Sequence, residues 1–189
     1  MDNLPEKMSE NHSDDDALLM LEVAAGSDHA MRILVQKWKN PLVNFFYRSV
    51  RNTATSEDLA QQTFINLYKA RATYCAKAKF STYLFSIARN LFINECRRNS
   101  RRPQGVELVP ETDPGSSDSD ISQMKELEEI FEIVLERLPE NQRTAILLLK
   151  QQELTYEEIA QIMDSNVSSV KTWIHRARQT LKDALESML

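Results

Sequence analysis

The sequence predicts an all-α protein made of two small helical domains joined by a flexible acidic linker. Three observations carry this expectation. Apolar residues recur at helical spacing along the periodic stretches, and none alternates convincingly in the manner of a strand. Only three glycines occur in 189 residues, too few for the turns of an all-β fold or for a glycine-rich phosphate loop. Three of the six prolines and two of those glycines fall in residues 103–120, PQGVELVPETDPGSSDSD, with five acids and no base. Prolines and like charges favour an extended connector.

The elements follow in order. Residues 1–13 are polar, acidic and aperiodic, and read as a flexible tail. The carboxylates of Asp14–Asp16 suit a helix N-terminus. That helix carries Leu18, Leu19, Leu21 and Val23 and stops at Gly26, a natural left-handed cap. A second helix runs from about Ser27 to Asn52, with Pro41 expected to kink or split it. Thr55 opens a third, with Asp58 as its capping-box partner. Leu59, Thr63, Phe64, Leu67 and Tyr68 share one of its faces, while Asp58, Gln61 and Gln62 lie on the polar remainder. A fourth helix spans roughly Ser81–Arg98 behind Leu84, Ile87, Ala88, Leu91 and Phe92. These elements make a first domain of residues 14–102.

Residues 121–189 make the second. Met124, Leu127, Phe131, Val134, Leu135 and Leu138 form one apolar stripe. Pro139 suits the first turn of the next helix, which carries Ala145, Ile146, Leu148 and Leu149.

The net charge of −5 hides a strong asymmetry. Residues 17–102 hold fourteen Lys/Arg against five Asp/Glu, a net of +9, and the acidic strip follows directly. A basic block of that size suggests a polyanion-binding domain; a solvated basic surface is the bland alternative. Cys75 and Cys96 lack a CxxC pattern and read as packing thiols. His12, His29 and His175 are scattered, so no metal or cofactor site is expected, and no nucleophile–base pair suggests catalysis. No apolar run is long enough to span a bilayer, and the acidic start is unlike a signal peptide. A cytoplasmic protein without membrane insertion is the expectation.

The strongest local pattern is residues 154–182. Thr155 and Glu158 form a capping box before a short helix facing inward with Ile159, Ala160 and Met163. Asp164-Ser165-Asn166 makes a turn, and Asn166 caps the next helix. Val170, Ile174, Ala177 and Leu181 then form a core face, opposite Ser169, Lys171, Thr172, His175, Arg176 and Arg178. This is the layout of a helix-turn-helix, with a second helix carrying side chains able to read duplex DNA. A plain helical hairpin with a basic face is the alternative. A second constellation mixes aromatics and bases: Phe80, Tyr83, Phe85, Arg89, Phe92 and Arg97. Such mixtures suit single-stranded nucleic acid. Helical spacing places Phe85 and Phe92 in the core, leaving Phe80 and Tyr83 as candidates for exposed work.

Three stretches together resemble a bacterial RNA polymerase sigma factor of the extracytoplasmic-function group. SEDLAQQTFINLY (56–68) is similar to the family's polymerase-binding helix. FSTYLFSIARNLFINECRR (80–98) is similar to its melting and −10-reading segment, and residues 138–178 to its −35-reading domain. The resemblance implies a sigma-2 domain, a linker and a sigma-4 domain. It implies that Asp58, Gln61 and Gln62 dock on the clamp helices of the largest polymerase subunit, with sigma-4 at the flap. It assigns Phe80, Tyr83, Arg89, Asn90, Asn94 and Arg97 to −10 DNA, and Ser169, Lys171, Thr172, His175, Arg176 and Arg178 to −35 DNA. Tyr83 stands where the family usually has Trp. The implied partners are core RNA polymerase, promoter DNA and an inhibitory anti-sigma factor. The acidic linker would run near the RNA exit path. A stand-alone helix-turn-helix regulator remains the alternative.

Overall fold

The computed structural model describes residues 14–100, 131–151 and 154–186, and among them the regular elements are helices. The expected tail, the linker and the stripe positions Met124 and Leu127 lie outside the described residues. Helix α1 is Asp15–Ala24, capped by the Asp14 side chain. Its end follows from Gly26 at φ +98°. The Gly26 and Ser27 N–H groups donate back to the Val23 and Glu22 carbonyls, each at 3.0 Å. That pair of bonds satisfies carbonyls the helix would otherwise leave open.

Helix α2, Asp28–Val50, is not split by Pro41. A proline removes one N–H donor, whereas Leu34 before it and Leu42, Phe45 and Phe46 after it are all fully buried. Tertiary packing holds both halves on one core. Arg51 then adopts φ 54°, a left-handed turn that leads directly into α3, Thr53–Lys69. The true cap of α3 is Asn52, whose side chain accepts from the Thr55 N–H at 2.8 Å. The expected Thr55–Asp58 box is therefore displaced: Asn52 holds an acceptor one turn earlier and starts the helix there. Leu59, Thr63, Phe64 and Leu67 are buried as expected, but Tyr68 is exposed, with the Arg71 guanidinium 4.0 Å from its ring centre.

A short 3-10 turn at Arg71–Thr73 and an irregular stretch lead into α4, Phe80–Ser100. Its inward aromatics interlock with α2. Phe85 lies 5.4 Å from Phe45 and 6.1 Å from Trp38, both edge-on. Aromatic pairs in this geometry add to the burial of their rings.

In the second group, residues 131–137 form α5, with Val134 and Leu135 buried. Pro139 precedes α6, Glu140–Gln151, and accepts from the Gln142 and Arg143 N–H groups. Helix α7 is Tyr156–Ile162 and α8 is Val167–Glu186. The two groups are packed on each other, α2 against α6 and α4 against α7.

Candidate nucleic-acid interface

The α7–α8 unit is built by its caps. The Thr155 hydroxyl accepts from the Glu158 N–H, and the Glu158 carboxylate accepts from the Thr155 N–H at 2.8 Å. Both bonds of the capping box are made. Asp164 takes the positive-φ position of the turn, at 47°. Asn166 then accepts from the Ser169 N–H at 2.8 Å and starts α8. Val170, Ile174, Ala177 and Leu181 are buried, which fixes the opposite side of α8 outward.

That outward side carries the expected duplex readers. Thr172, His175 and Arg176 are exposed there, and Lys171 and Arg178 are exposed on its flank. Lys171 leans on α7, its ammonium 5.9 Å from the Tyr156 ring centre. Ser169 is only half-buried, and Trp173 packs against the core beside that outward face. Helix α8 therefore holds a row of donors and acceptors on a buried spine.

The α4 constellation divides differently. Phe80 is a correction: its side chain is fully buried, 6.0 Å from Trp38, so its ring cannot stack on a base. It is the first helical residue and turns inward onto α2. Tyr83 is half-buried and paired with Tyr74 at 5.1 Å. Burial raises both phenols, Tyr74 to about 12, so both remain protonated donors at neutral pH. Asn90, Asn94 and Arg97 are exposed along α4, and Arg89 is half-buried.

These residues face the second group. Arg89, Asn90, Asn94 and Arg97 line a polar cavity of about 590 Å³ whose far wall is Met163 and Asp164 of the helix-turn-helix turn. Burial pulls the Arg89 guanidinium below its ordinary range, partly offset by the carboxylates of Glu140 and Asp164. Several side-chain contacts join the two groups among the described residues. Lys79 pairs with Glu158 at 2.8 Å. Arg51 reaches Glu132, and Glu136 at 3.2 Å. The Arg143 guanidinium sits 5.7 Å from the Phe92 ring centre. Sequence reading found none of these, because each joins residues far apart in the chain. Glu158 had a complete local explanation as a capping partner.

A third surface lies on α3 of the first group. Asp58 and Gln61 are exposed on α3, while Gln62 is half-buried and donates to Asn66 at 2.9 Å. Gln61 also lines an apolar groove of about 310 Å³ between α2 and α3, with Val35, Val43 and Phe64 at its base.

Cys75 is exposed and Cys96 half-buried, so only the latter packs as a core-edge thiol. Among the described residues, no cluster of His, Cys, Asp and Glu is arranged to hold a metal ion. No described helix is long and apolar enough to cross a membrane.

Comparison with known proteins decides the family. The Sigma-70 region 2 model matches residues 34–102, and the Sigma-70 region 4 model matches residues 129–181. The ECF RNA polymerase sigma-E factor of Escherichia coli K12 is 31% identical over 184 residues, covering 92% of this chain and 96% of that protein. The chain belongs to the ECF group of RNA polymerase sigma factors. It is an alternative sigma factor that directs transcription initiation, one of a generally non-catalytic class of regulatory proteins. The RNA polymerase sigma-H factor of Pseudomonas aeruginosa is 29% identical over 184 residues, covering 92% of this sigma factor and 95% of that one. Two solved structures share the fold. CnrH in complex with the cytosolic domain of CnrY matches with a TM-score of 0.71 at 22% identity, covering 91% of this chain and 97% of that one. The sigma factor RpoE in complex with the anti-sigma factor NepR from Bartonella quintana matches with a TM-score of 0.62 at 23% identity, covering 82% and 98%.

Proposed function

We propose that this sigma factor docks on core RNA polymerase through α3, reads −35 duplex with α8 and captures an unpaired −10 strand with α4. The observation that carries the reading is α8. Its buried spine turns Thr172, His175 and Arg176 outward together on the second helix of a helix-turn-helix. Arg pairs with guanine edges, and Thr contacts bases or phosphates. Asn90 and Asn94 supply amides for a base edge, and Arg89 and Arg97 supply cations for phosphates. Opening is driven by differential binding, since groups that hold the flipped, unpaired strand favour that state over duplex. Asp58, Gln61 and Gln62 meet the clamp helices of the largest subunit, and sigma-4 meets the flap. Residues 14–102 constitute sigma-2 and 121–189 sigma-4, with the acidic linker threading polymerase between them. The chain works in the cytoplasm, where its polymerase is.

The two readers cannot stay packed on each other when both engage a promoter. Elements at −35 and −10 stand roughly 25 base pairs apart, about 85 Å of duplex. Helix α7 lies in contact with α4. The domains therefore separate on promoter binding, and the packed form is the resting one. An anti-sigma protein that grips both domains would hold that form. RpoE of Bartonella quintana is solved in complex with the anti-sigma factor NepR, and CnrH in complex with the cytosolic domain of CnrY.

The test is multi-round transcription with purified core polymerase on fragmented host DNA. New discrete transcripts that require this protein and disappear with Arg176→Ala support the reading. Binding to duplex DNA without any binding to core would instead favour a stand-alone regulator.

A further inference from the structure

Helix α4 begins without a cap of its own. The residue before it is Lys79, whose side chain has donors and no acceptor. The first N–H groups of any helix need acceptors, and the helix end carries partial positive charge. The missing acceptor comes from the other end of the domain. Asp14 caps α1 with one carboxylate oxygen, accepting from the Ala17 N–H at 3.3 Å. Its second oxygen accepts from the Phe80 N–H, the first of α4. One carboxylate thus closes two helix N-termini that are 66 positions apart in sequence.

Two residues on, Asp16 fixes the same turn of α1 to α2. It is buried, accepts from Lys37 at 2.8 Å and from the Trp38 indole N–H at 3.1 Å. Trp38 in turn packs on Phe80. The start of α4 is therefore held from both sides: its backbone by Asp14 and its first side chain by a ring that Asp16 orients. This junction also supports the stretch leading into α4. Tyr74 pairs with Tyr83 on the first turn, and Lys77 and Lys79 are exposed beside it. The Asp14 charge is felt by both Tyr74 and Lys79.

We propose that Asp14 is a positioning residue for −10 strand capture: it touches no DNA, and it sets where the first turn of α4 and residues 74–79 stand on the α1–α2 body. The inference rests on the −10 role proposed for α4. Asp14 is far from that helix in sequence, and a local reading finds in it only the cap of α1. The fold gives it the second task.

The test uses full-length protein assembled with core polymerase. Two probes are measured: a labelled single strand carrying the non-template −10 sequence of a promoter recovered by transcription, and the matching −35 duplex. Asp14→Ala is expected to weaken binding of the single strand about five- to tenfold, the scale of one lost cap. Assembly with core and binding of the −35 duplex should stay within about twofold, inside the scatter of ordinary surface changes. Asp14→Asn keeps one acceptor oxygen where the Ala17 and Phe80 N–H groups each use one, so it should recover only part of the affinity. Glu22→Ala removes the same charge from an exposed position of the same helix and should change little. If Asp14→Ala weakens core assembly, duplex binding and strand binding equally, Asp14 is only a structural cap and the proposal fails. If Glu22→Ala matches Asp14→Ala, net charge is the cause and the proposal fails as well. A wild-type holoenzyme with no affinity for the single strand overturns the −10 reading itself, and this proposal with it.

Discussion

The two helices proposed as readers are close in length, 20 residues in α8 and 21 in α4, yet they are presented in different ways. Helix α8 stands on a local spine and local caps, and its outward residues are open. Helix α4 takes its first acceptor from Asp14, its aromatic footing from α2, and a cover from the turn of the other domain. Duplex DNA offers a regular groove, so a rigid row of side chains suffices to read it. An unpaired strand has no fixed shape, and its receiver has to be assembled from several segments. The difference meets in Glu158. That carboxylate completes the capping box that starts the duplex reader, and it also pairs with Lys79 at the entrance of the strand reader.

The largest effect should come from breaking one reader's support. Phe85→Ala removes a fully buried ring between α4 and α2, at a cost of about 3–5 kcal/mol in denaturant unfolding. It should abolish strand capture before duplex binding. Ile174→Ala, a buried spine residue of α8, should cost about 2–5 kcal/mol and reverse that order.

Next come the reading residues themselves. Arg176→Ala should cost about 1–3 kcal/mol on a −35 duplex if it pairs with a guanine, seen as a loss of about fivefold or more in fluorescence anisotropy. Asn90→Ala should leave that titration unchanged and weaken binding of a −10 single strand.

Smaller effects belong to the contact between the readers. Lys79→Glu or Glu158→Lys alone should loosen the packed form, and the double exchange should recover the ion pair but not the capping-box bond that Glu158 accepts from the Thr155 N–H. The Lys79 side chain is 64% exposed, so a coupling of only about 0.2–1 kcal/mol is expected from the double-mutant cycle.

The smallest effect is with pH. Burial pushes the Glu158 carboxyl up, but its hydrogen bonds from Lys79 and the Thr155 N–H outweigh this and hold it below the usual range. The Lys79 ammonium is held above its usual range by Glu158. Glu158 therefore contributes above the ordinary carboxylate range, and its contribution fades as pH falls through the depressed value. Lys79 contributes below the ordinary lysine range and is lost as pH rises through its raised value. Interdomain proximity should be flat across neutral pH and decline below about pH 4.

Most of the helix-turn-helix was legible in the sequence because its causes are local. Thr155–Glu158, Asn166 and the Val170–Leu181 spine all lie within a few turns of what they control. Helix α4 was legible in composition and misleading in detail. Phe80 reads as an exposed aromatic among bases, but the fold turns the first residue of α4 onto Trp38. The start of α3 was placed late because Asn52 competes with Thr55 for the same role, and the left-handed Arg51 before it decides the outcome. Pro41 was expected to kink or split α2; the helix runs on unsplit, with buried residues on both sides of the proline. The contacts of Asp14 with Phe80, Lys79 with Glu158, and Arg51 with Glu132 span distances in sequence that no periodicity encodes.

The most direct test of the account is the distance between the two readers. Dyes on Cys75 and on Gln161→Cys, with Cys96→Ser to leave a single pair, flank the Lys79–Glu158 contact on exposed positions. Energy transfer should be efficient in the free protein and disappear in the promoter-bound holoenzyme, where the two elements lie about 85 Å apart. Efficient transfer that persists in promoter complexes still producing transcripts would contradict the account.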